Sequence, residues 1–145
     1  MSVYATKFIT SRLMTNALIS GKLYIKTFKG ALPANLNGTT LTSIVTTRAA
    51  DKLCEYGYIT LDKEAVDQSN LGWFMLTTAA AINAVGTGAA TWFIASFMAT
   101  TGSIYDYFVC DSISLPGGTG VLQLNSLSYV AGALAPTITD FAIKL

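Results

Sequence analysis

The run Gly86-Thr87-Gly88-Ala89-Ala90-Thr91-Trp92-Phe93-Ile94-Ala95-Ser96-Phe97 decides how this chain is read. It lies inside an uncharged stretch, Gln68 to Tyr105, that is long and apolar enough to raise the question of a membrane span. Glycines as closely spaced as Gly86 and Gly88, in the middle of that stretch, read as a turn between two strands. Its flanks carry Asp67 and Asp106, where basic residues would orient a span. The stretch therefore predicts strands and no membrane. Successive side chains of a strand point to opposite faces, so Trp92-Phe93 and Trp73-Phe74 predict a sheet covered on both sides, by a partner sheet on one and by an N-terminal helix or a neighbouring subunit on the other.

Working outward, strands are expected at Leu71–Leu76, Ala79–Val85, Thr91–Phe97, Ile104–Val109, Val121–Leu127 and Thr137–Leu145. Turns at Gly86–Gly88, Thr100–Gly102, Leu115–Gly120 and Ala131–Gly132 separate them, the third expected to be a hairpin connection. Upstream, Lys22–Lys29 alternates Lys22, Tyr24, Lys26 and Phe28 with Leu23, Ile25 and Thr27, a strand with one wetter face. Gly30–Thr40 reads as a loop, and the β-branched run Leu41–Thr47 as a strand. The charged segment Arg48–Asp67 reads as an exposed excursion, with Tyr56–Leu61 a short strand and Asp62–Gln68 a turn or helical turn. Tyr4, Phe8, Ile9, Met14, Ala17 and Leu18 fall near helical spacing, and Gly21 follows as a C-cap. The expected architecture is mainly β: an antiparallel β-sandwich of jelly-roll or immunoglobulin-like type over residues 22–145, preceded by a helical arm over 1–21.

Composition narrows the function. The 145 residues are 52% apolar and only 12% charged, with nine Lys/Arg against eight Asp/Glu and a net charge of +1. A balance so near neutral lacks the basic field a nucleic-acid binder needs. The chain contains no His, and so lacks the commonest general base and metal ligand. Cys54 and Cys110 are too few for a disulfide framework and read as buried thiols. Residues 1–12 show no leader pattern, and synthesis in a cytoplasm is expected.

Glu55, Asp62 and Glu64 lie on the charged excursion, where carboxylates lack the burial that separates acid from base. The loop Pro116–Gly120 lacks the Lys-Ser/Thr pair of a phosphate loop, and Asp106 and Asp111 flank a strand as turn and edge residues. No catalytic residue, cofactor or metal is therefore expected. Such a low charge predicts a surface of Thr, Ser, Asn and Gly that is covered in part by neighbours, as in a subunit of a larger assembly. The five basic residues before Gly30 are unopposed by acids in the sequence and are candidates for an acidic partner surface.

The segment order carries a resemblance. A short helix ending at Gly21, the strand Leu23-Tyr24-Ile25-Lys26, a loop with Pro33, the run Gly86 to Phe93, and the closing elements Gly120–Ser126, Ala131-Gly132 and Ile138–Ile143 together resemble small virion structural proteins of tailed bacteriophages. The likeness is strongest after Thr77; it departs at Ile94, where a basic residue is expected, and in Arg48–Asp67. It implies a many-copy particle component without catalytic residues, best matched by a decoration, or cement, protein on the capsid surface. Such a protein is commonly a trimer that clamps neighbouring copies of the major capsid protein. Contacts with that shell and between copies are then expected from the N-terminal arm and the basic strand, through Tyr4, Phe8, Arg12, Lys22, Lys26 and Lys29. The alternatives are a tail, collar or baseplate subunit, with Arg48–Asp67 as the candidate ring-lining loop, and a carbohydrate-binding module, which would stack sugars on exposed Trp and Tyr, although the apolar neighbours of Trp73 and Trp92 point to burial.

Overall fold

Alternation of Leu23, Ile25 and Thr27 with Tyr24, Lys26 and Phe28 makes the strand Lys22–Phe28 (β2) two-faced, and it sits in the interior of the main sheet. The structure is a computed structural model that describes residues 3–4, 22–34, 39–62, 72–75, 80–98 and 104–144. On one side β2 pairs along its whole length with Trp92–Met98 (β6), from Lys22↔Met98 to Phe28↔Trp92. On the other it pairs with Lys52–Asp62 (β3). β6 pairs with Ile104–Cys110 (β7), and Val3–Tyr4 (β1) adds to the outer edge of β7. The far end of β3 pairs with Gly72–Met75 (β4), β4 with Ile138–Lys144 (β11), and β11 with Leu122–Leu124 (β9). Ile113–Ser114 (β8) closes the row beside β9. The fold is thus mainly β, and among the described residues these strands form a nine-stranded sheet, antiparallel except at β8–β9. A separate ribbon joins Gly88–Ala89 (β5) to Ser128–Tyr129 (β10).

The two faces of β6 carry two cores. Leu23, Ile25, Phe93 and Ala95 share one with Leu122, Leu124, Ile138 and Phe141 from the opposite end of the sheet. Phe93 and Phe141 meet edge to face, with ring centroids 6.3 Å apart, so strands from the two ends of the sheet share one core. On the other face Phe28 and Trp92 stack with centroids 4.1 Å apart, beside Ile94 and Val109. Among the described residues, the cover there is a single helix, Leu41–Thr47 (α1), which lays Leu41, Ile44 and Val45 on that core. Both faces of Trp92-Phe93 are covered, but the second cover among the described residues is α1, where an N-terminal helix or a neighbouring subunit is expected from the sequence.

Several local expectations are corrected. Leu41–Thr47 is helical because the Thr40 hydroxyl accepts from the Ser43 amide at 3.2 Å and the apolar residues fall at helical spacing, which together override β-branched propensity. Arg48–Asp67 is not an excursion over its described part. β3 runs through Lys52–Asp62 with Leu53, Cys54 and Tyr56 buried and Glu55 exposed. Ala80–Val85 forms only an isolated bridge, Asn83↔Leu134, and no ladder. Leu115–Gly120 joins parallel neighbours rather than a hairpin. Within the predicted helical arm, Val3–Tyr4 is a strand on β7, and the rest of the arm lies outside the described residues.

Candidate functional site

The residues predicted to meet partners are dispersed, and the described lysine side chains among them are already engaged. Tyr4 lies in β1 opposite Val109, and Lys22 begins β2 opposite Thr60 and Met98; Phe8 and Arg12 lie outside the described residues. Lys26 is paired across the strands with Glu55 at 3.3 Å, and Glu55 also receives Lys52 at 3.4 Å. Burial alone would raise the Glu55 carboxyl, but Lys26 and Lys52 outweigh it and hold the group below its usual range. The Lys29 ammonium donates to the Thr87 carbonyl at 3.1 Å. The basic strand that looks unopposed in sequence finds its acid on the next strand.

Other groups of chemical interest are also used internally. The amides of the glycine-rich loop donate to its own surroundings: Gly117 to Gln123 Oε1, Gly118 to the Leu115 carbonyl, Gly120 to Ser114 Oγ and Val121 to Ser112 Oγ. Amides spent in this way do not converge on an anion. Cys54 and Cys110 are free and buried, and burial pushes both thiols up to about 11. Trp92 is buried, with its indole N–H donating to the Lys29 carbonyl at 3.2 Å, and offers no platform for a sugar. Among the described residues no three His, Cys, Asp or Glu gather as a metal site, and no helix is long and apolar enough to cross a membrane.

What the molecule does display is an apolar patch that the sequence reading missed. Ile82, Val85, Val130 and Leu134 are 38%, 62%, 59% and 67% exposed, on two segments, 80–86 and 130–135, that run side by side. Three amide-to-carbonyl bonds tie the segments together: Ala84 to Ala133 at 2.8 Å, Gly132 to Ala84 at 2.9 Å and Ala135 to Ile82 at 2.8 Å. The pair is anchored on β3, where the Leu53 carbonyl accepts from both Val85 and Gly86. A Cβ at Gly86 would lie on the Lys52 carbonyl oxygen, so only glycine allows this approach.

Beneath the patch, the Tyr56 hydroxyl donates to the Pro136 carbonyl at 2.6 Å and lies 2.7 Å from the Tyr129 hydroxyl. Tyr56 has one proton to give, so Tyr129 is the donor between the two phenols. Burial raises both phenols above their ordinary value. A cleft of about 160 Å³ opens beside them, lined by Tyr56, Ala80, Ile82, Leu134, Pro136 and Ile138. The sequence offers no separate signal for these exposed side chains: Ala80-Ala81-Ile82 and Ala131-Gly132-Ala133-Leu134 are as apolar as the buried strands. No family model, curated protein or solved structure matches this chain.

Proposed function

We propose that the chain is a structural subunit of a tailed-phage particle: a capsid decoration protein that sits on the outer surface of the major capsid protein shell and stabilises the head as a homo-oligomer. The observation that carries this reading is the exposed, uncharged apolar patch on a hydrogen-bonded base, in a chain whose described lysines, thiols and Trp92 are engaged internally. Its physics is contact: a rigid apolar surface loses little entropy on docking, and many weak contacts made by an oligomer add through effective concentration. The resemblance in segment order supports the particle, and the mainly β fold suits repeated lateral contact. Of Arg48–Asp67, the candidate ring-lining loop of the tail reading, Lys52–Asp62 is built into the sheet and the part beyond Asp62 lies outside the described residues.

The experiment is reconstitution. Heads assembled without this chain are mixed with the purified protein, and binding is followed by co-sedimentation together with the temperature at which the heads open. Saturable binding at a stoichiometry set by the capsid lattice, with a raised opening temperature, is expected. Heads that neither retain the protein nor gain stability would contradict the reading.

A further inference from the structure

We draw no further inference here: the strongest candidate, the exposed apolar surface of segments 80–86 and 130–135 with the cleft beside Tyr56, carries none, because nothing in the structure shows what covers it.

Discussion

Trp92 and Phe93, adjacent in the chain, anchor different cores, and the stability of each face can be tested through one side chain. Phe28 stacks on Trp92 and is fully buried, so Phe28→Ala removes a stacked ring and leaves a cavity. An unfolding free energy lower by about 3–5 kcal/mol is expected from chemical denaturation. Tyr56→Phe leaves the Pro136 carbonyl and the Tyr129 hydroxyl short of a partner at a buried site, and should cost about 1–3 kcal/mol. The thiols set a pH dependence. Burial raises Cys54 and Cys110 from 9.0 to about 11, so between those values the unfolded chain has lost protons that the folded chain keeps. Their contribution is whole below the lower value and is lost as pH rises through the upper one. Tyr56 and Tyr129, also raised by burial, act in the same direction. The urea midpoint is expected to fall between about pH 8 and about pH 10.5, and to fall less steeply in the Cys54→Ala, Cys110→Ala double variant; equal midpoints at both pH values would contradict this account. Identity alone made Trp92, Phe93 and both cysteines legible in the sequence, since large apolar residues at strand period and isolated thiols have few other destinations.

At the scale of elements, periodicity was read correctly where strands are long and wrongly where capping or close approach decides. β2, β6, β7 and β11 follow from their alternation. Leu41–Thr47 does not, because its β-branched content favours a strand while one hydroxyl at Thr40 starts a helix. Thr40→Ala should therefore cost about 1 kcal/mol and loosen the cover over Trp92, seen as a red shift of tryptophan emission. Of β3 only the second half, Tyr56–Leu61, follows from the sequence; the first half hides behind its charges, because Glu55 meets Lys26 only when β2 pairs with β3. Gly86 was read as a turn residue, whereas its place is set by the Lys52 carbonyl. Gly86→Ala should cost about 1–3 kcal/mol by overpacking and detach the patch from its base, measurable as faster amide exchange at Val85.

At the scale of the molecule, low charge and a large apolar fraction point to a chain that keeps company, and the structure places the exposed apolar surface on segments 80–86 and 130–135. That location was not legible beforehand. An exposed Leu134 and a buried Leu124 look alike in a composition, and only the pairing of distant segments decides which one faces water. The basic residues expected to meet partners illustrate the converse, because Lys26 looks available in sequence and is satisfied by a neighbouring strand. The central claim, a decoration subunit of the head, is tested most directly by quantitative mass spectrometry of purified particles after heads and tails are separated, with copy number taken relative to the major capsid protein. The account predicts recovery in the head fraction at a copy number comparable with that of the shell protein. Recovery with tails alone at low copy, or absence from the particle, would contradict it.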